Sequence, residues 1–302
     1  MISRQNKTQI TILIFVGLFL TSLFIPSMVR GQLREIALGY RFEESGFLST
    51  PGPLTYDASR HRLAIADRGP RLVYIFDLTD KTYQTLGVDQ ELLPAVGLAF
   101  DPRGNLYIAL DDIPNLLIYE FQSAMPDTMN LSLILPPEYK RPERIAIGSD
   151  NTKYIIDRDR SVVYMVDLEN KYIGKINEKL KKPDGVGVTK SGEILIADKG
   201  IDPILIYNPS GIFERRFSRP EAPTAQIGYR ASGLAIDQLG WIYTLDLTNN
   251  KVIIYDPTGV SKTEWAPDEQ PFFPADIVID RYDHIFISEG GTGRVITFEK
   301  GN

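Results

Sequence analysis

Apolar residues in this chain fall in short runs of four to six, and the runs recur in a fixed order. The first run of each unit reads LTYD (54–57), LAFD (98–101), IAIG (145–148), VGVT (186–189), LAID (234–237) and IVID (277–280). Its first and third positions are apolar, and between them stands a small or modest residue: Thr55, Ala99, Ala146, Gly187, Ala235, Val278. Alternation with period two means a strand, and the small second side means that both faces are packed, one against a near neighbour. A second run follows after a short turn and ends on an acid in every unit: Asp67, Asp111, Asp157, Asp198, Asp246 and Glu289. Successive acids stand 41 to 48 residues apart.

The third run gives the reason why ILIYNPSG (204–211) returns as VIIYDPTG (252–259). Asn208 or Asp256 accepts a hydrogen bond at the first position of a type I turn, proline presets φ at the second, and Gly211 or Gly259 closes the fourth. A weaker fourth run comes next, as in NLSLIL (130–135) or IFERRF (212–217). Six units of four short antiparallel strands predict an all-β fold, a six-bladed β-propeller of four-stranded antiparallel blades. A solenoid is the alternative, but it would want capping repeats, and neither end here looks like one. The sixth unit has sequence for only three strands. Residues 34–42 (REIALGYRF) alternate Ile36, Leu38, Tyr40 and Phe42 and have nothing of their own to pair with. They are therefore predicted to complete the sixth blade as its outer strand, antiparallel to Arg294–Glu299, since an unpaired edge invites aggregation.

The segments Gly233–Gly259 and Asp184–Gly211 resemble NHL repeats, in which a strand, a glycine turn, a strand ending in Asp, a polar loop and an I-x-D-x-x-G segment follow in order. The other four units match more loosely. Leu110 stands where the second unit should carry its acid, so Asp111 is one residue late, and Arg144 replaces the leading glycine of the third. The resemblance covers 34–302 and extends more distantly to propellers of the gluconolactonase and strictosidine-synthase type. It implies the fold and no single activity, because such propellers include lyases, lactonase relatives, RNA readers, sensor heads and scaffolds.

Charge and composition narrow the field. A net charge of −6 and a pI near 5.2 argue against nucleic acid as a partner. The absence of cysteine rules out disulfides, thiolate zinc sites and a cysteine nucleophile. Residues 1–31 stand apart from the propeller domain, 32–302. Arg4 and Lys7 precede 22 uncharged residues, Thr8–Val29, and Arg30 ends the stretch. This reads as a secretory signal cut before Gln32. The run is also long enough to span a bilayer as an uncleaved anchor, giving membrane association through residues 8–29. Either way the basic end stays inside, so the propeller is expected outside the cytoplasm, secreted, periplasmic or held at the membrane.

Candidate chemistry is sparse. The acid ring is expected to bond loop amides, one carboxylate per blade, rather than to hold a cation. His61 and His284 lie in turns on the opposite rim and are too few for the several-histidine zinc site that the resemblance implies for amidating lyases. Gluconolactonase-type propellers carry calcium ligands at the heads of their inner strands, in contexts such as EGP, PNG and DG. The matching segments here are Pro51-Gly52-Pro53, Pro183-Asp184-Gly185 and Ser232-Gly233, which leave Asp184 as the one hard oxygen ligand. No cofactor is predicted, and calcium enters only under the alternative reading below.

The loops between second and third strands and those leading into first strands share one rim. They carry Arg68, Arg144, Arg158, Lys199 and Arg230 beside Asp184, a solvated surface of mixed sign on a rigid scaffold. Such a rim suits a protein or a polar glycan. The expectation is an exported, monomeric, non-catalytic binding or assembly module; the alternative is a lactonase-like hydrolase or lyase with a reduced metal site.

Overall fold

Each repeat unit folds into one four-stranded antiparallel sheet, and six sheets stand in a ring in chain order. The computed structural model describes residues 33–87, 93–121, 123, 125–200, 204–217, 231–267 and 272–300. The segment 1–32 and Arg230 lie outside the described residues. Among the described residues no helix is long and apolar enough to cross a membrane.

Six inner strands line the axis: Pro51–Asp57, Ala95–Phe100, Arg144–Ile147, Pro183–Val188, Ala231–Ile236 and Pro274–Ile279. The core is a set of layers between neighbouring blades. Tyr107 and Leu116 of the second blade, for example, pack on Ile145, Ile155 and Tyr164 of the third. Second strands are therefore buried on both faces, as in Arg62–Asp67 and Ile194–Asp198, where every residue is buried. The small residues mark where blades approach most closely. A Cβ on Gly97 would lie 2.9 Å from the Glu143 carbonyl of the next blade.

The repeated phrase makes the turn its composition predicts. Asn208 Oδ1 accepts from the amides of Ser210 and Ile212, both at 3.0 Å, while Asp256 Oδ1 accepts from Thr258 at 2.9 Å and Val260 at 3.0 Å. Gly211 and Gly259 take φ values of +79° and +89°, open to glycine at little cost. In the second blade the outer strand is Asp127–Asn130, and the predicted run 130–135 opens instead with a 3-10 helix, Leu131–Leu133. The Asn130 side chain accepts from the Ser132 amide and turns the chain out of the ladder.

The sixth blade closes as expected, with a shorter strand. Leu33–Ile36 pairs antiparallel with Arg294–Lys300, from Leu33 opposite Lys300 to Ile36 opposite Thr297. The apolar alternation through Phe42 does not continue as a strand, because Glu43 reaches back over it. Its carboxylate accepts the amides of Leu38 at 3.1 Å, Gly39 at 2.8 Å and Tyr40 at 3.0 Å, and Gly39 supplies the left-handed φ of +76° that this bend needs. Arg41–Glu43 is a 3-10 turn, and Phe42 drops between the first and sixth blades with no exposed surface. The closure is thus half ladder and half plug.

Candidate functional site

The acids at the ends of the second strands hold loop amides, and three of them staple two loops at once. Asp198 accepts from Gly200 in the loop after its strand (2.6 Å), and from Lys181 (2.7 Å) and Lys182 (3.0 Å) in the loop entering the blade. Asp67 does the same with Gly69, Ser49 and Thr50, and Glu289 with Gly291, Thr292 and Phe273. Asp246 holds the amides of Thr248 and Asn249 in its own loop. Asp157 receives Lys140 at 2.8 Å, and burial pushes its pKa up. Asp111 is the exception. Leu110 fills the stapling position opposite Ala95, so Asp111 turns outward to Arg141 at 2.7 Å.

We expect Asp198→Ala to cost about 1–3 kcal/mol, because it strands buried amides. Asp111→Ala should cost only about 0–1 kcal/mol, the usual worth of a surface ion pair. Chemical denaturation of the two variants checks this contrast; equal costs would contradict it.

At the same rim the heads of the inner strands converge on the axis. Gly97 and Gly185 stand opposite the residue preceding the stapling position, paired with Ala109 and Ala197. In the third and sixth blades the same register position carries Arg144, opposite Ile156, and Asp276, opposite Ser288. These two blades face each other across the ring, and the Arg144 guanidinium donates to Asp276 Oδ2 at 2.5 Å. Asp276 Oδ2 also accepts the Leu54 amide at 2.9 Å, which ties in the first blade. Burial opposes the charge on Arg144, yet Asp276 and Asp184 outweigh it and raise its pKa.

Asp184 lies beside this bolt, and its carboxylate is almost wholly buried. Its Oδ1 accepts from Arg158 at 3.0 Å, and its Oδ2 takes Lys199 at 2.6 Å and the Ser232 hydroxyl. Burial would raise the Asp184 pKa, but Arg144 and Lys199 reverse the sign and hold it below the usual carboxylate range. The same burial lowers the pKa of Lys199, against the pull of Asp184. Arg158 divides itself between Asp184 and Glu143.

Arg68 completes the cluster from the rim. It is exposed, and among the described residues its guanidinium has no hydrogen-bond or ion-pair partner. Loss of water on its protein side, followed by repulsion from Arg144, lowers its pKa.

Beneath Arg144, Asp184 and Asp276 runs an axial cavity of about 240 Å³, walled by inner-strand residues such as Thr55, Ala146 and Leu234. Tyr56 stands towards its other end, its hydroxyl 2.8 Å from His61 Nδ1 and its pKa pushed up to about 12 by burial. His284 lies at that end too, 2.9 Å from Asp280. The two histidines therefore sit on the rim opposite the cation cluster, as their positions in the turns predict.

The structure brings together Arg68, Arg144, Arg158, Lys199 and Asp184. It corrects the expectation that they are simply solvated: the Lys199 and Arg144 side chains are only 15% and 14% exposed and belong to a buried ion network. Asp276 was missed by sequence reasoning. Its signal was the head Pro274-Ala275-Asp276, which occupies the same place as Pro183-Asp184-Gly185 and carries an acid where other units carry glycine.

A calcium ion does not fit this donor set. Both Asp184 oxygens and the inward Asp276 oxygen are already engaged by cations or by donated hydrogen bonds, and Arg144 spans the axis between them. Among the described residues no group of three or more His, Cys, Asp or Glu is placed to hold a metal.

No family model matches the chain, and no curated protein matches it in sequence. Solved structures do match in shape. A gluconolactonase from Xanthomonas campestris superposes with a TM-score of 0.67 at 13% identity, covering 90% of this chain and 91% of the other. A catalytically inactive virginiamycin B lyase from Staphylococcus aureus, solved with quinupristin, gives 0.65 at 10% identity over 90% and 99%. A streptogramin B lyase gives 0.66 at 10% identity over 89% and 98%. The likeness is of fold alone. These neighbours are six-bladed propellers.

Proposed function

We propose that this protein is an NHL-type, extracytoplasmic, non-catalytic binding module that presents the rim around Arg68 to a protein or polar glycan. The supporting observation is the Arg144–Asp276 bolt at 2.5 Å. A side-chain cation occupies the axial mouth where a metal-dependent propeller needs open acidic ligands, so the mouth is built to be rigid rather than to hold a metal. Arg68 is the cationic group of the cluster left facing outward. Reversing a charge there removes an attraction without breaking an internal pair.

The test is Arg68→Glu, with binding read by affinity capture from the extracytoplasmic fraction and by a glycan array. We expect an unchanged melting temperature and loss of the wild-type ligand. Full retention of that ligand would contradict the reading. Arg158 and Lys199 are unsuitable for this test, because reversing either would leave Asp184 beside a like charge.

The second reading, a hydrolase or lyase, has one specific support: Lys199, with its lowered pKa, hydrogen-bonded to Asp184 under the mouth. It predicts turnover of gluconolactone or quinupristin by the purified chain. The binding-module reading predicts none.

A further inference from the structure

The rim opposite the cation cluster carries a different surface. Arg60, in a first-to-second-strand turn, stacks at 4.0 Å over Phe121, in a third-to-fourth-strand turn of the next blade, so both kinds of turn share this face. Among the described residues, seven large apolar side chains stand exposed in these turns: Phe121 and its neighbour Met125, then Leu168, Ile212, Leu239, Val260 and Tyr282. Every blade from the second to the sixth contributes at least one. They are spread around a ring rather than gathered in a single patch, which matches a flat partner better than a pocket-filling one. Between the fourth and fifth blades the face also opens into a cleft of about 370 Å³. Leu195, Phe217 and Leu239 line it, with Lys190 and Arg215 among its polar residues.

The N-terminal strand enters on this same face. Leu33 pairs with Lys300, whose ammonium group reaches Asp237 in a first-to-second-strand turn of the fifth blade. The uncharged run Thr8–Val29 ends only four residues before Leu33. Four residues of extended chain reach about 13–14 Å. An inner strand of six residues rises about 20 Å, so the opposite rim is out of reach of so short a connection.

We propose that residues 8–29 remain as a membrane anchor and that the apolar turn face rests on the bilayer surface from which they emerge. The occupant of the face is the lipid interface itself. Large apolar side chains there enter the headgroup boundary, while Arg68 and the axial bolt point away from the membrane.

The absence of cysteine gives a clean test. The full chain is reconstituted in phosphatidylcholine vesicles as single-cysteine variants, each carrying an environment-sensitive fluorophore. Leu239→Cys and Tyr282→Cys report the turn face, and Leu133→Cys, in the 3-10 turn after the second blade's outer strand, reports a position away from it. Nitroxide-bearing lipids should quench the labels at 239 and 282 several-fold more than the label at 133. Equal quenching at all three sites would overturn the proposal. So would recovery of the exported protein in the soluble fraction with residues 1–31 removed.

Discussion

Phe42→Ala is expected to destabilise the ring by about 3–5 kcal/mol, the range for emptying a fully buried aromatic site. Domains of this kind are stable by only about 5–15 kcal/mol, so the loss is a large share. Phe42 has no exposed surface, and its ring lies 4.9 Å from Phe76 of the first blade and 6.0 Å from Phe286 of the sixth. It belongs to the connecting segment and touches both sides of the seam. Urea denaturation should show a lower midpoint with an unchanged slope. A control substitution at the half-exposed Tyr83, on the outer strand of the first blade, should shift the midpoint far less. Removal of 33–43 takes away both the plug and the ladder to Arg294–Lys300, leaving an open edge, and should give aggregated protein. A folded, monomeric product of that deletion would show that the seam is not what closes the ring.

The seam also shows how far the sequence could be read. Periodicity in Ile36, Leu38, Tyr40 and Phe42 correctly places the segment in the sixth blade, because apolar alternation reports which residues seek a core. It does not report where a ladder stops. That depended on Glu43 capturing three amides, a contact between neighbours along the chain that binary patterning does not register. The axial site was half legible for a related reason. Arg144 was visible as a broken glycine, and Asp184 as a surviving acid in a ligand context. Their arrangement was not visible, since the partner Asp276 comes from the opposite blade, 132 residues away. Only the closed ring brings the two deviant units face to face. The acid ring was legible as structural, but not its second set of partners in the loops entering each blade.

Arg144→Ala should have the other large effect, about 3–5 kcal/mol, the cost of removing one partner from a buried ion pair. The Asp276 and Asp184 side chains, only 9% and 2% exposed beside Arg144, would then have less positive charge next to them. In the wild type Asp184 has a lowered folded pKa, so its stabilising contribution is complete above the unfolded carboxylate value near about 4 and is lost as pH falls through the lower folded value. In the variant Asp184 loses the largest of its counter-charges, Arg144. Protonation then relieves a penalty, and the difference in stability between wild type and variant should shrink as pH falls from 7 towards about 4. A difference that stays constant over this range would mean that packing, not charge, sets the effect.

The Arg144 guanidinium, bolted to Asp276 and beside the engaged Asp184, closes the axial mouth to a divalent cation. Metal content and calcium titration of the purified wild-type protein, before and after chelation, measure it directly. The account predicts no stoichiometric calcium, magnesium or zinc, no heat of calcium binding, and a melting temperature indifferent to chelator. One equivalent of divalent metal, whose removal lowers the melting temperature or abolishes a turnover, would contradict it.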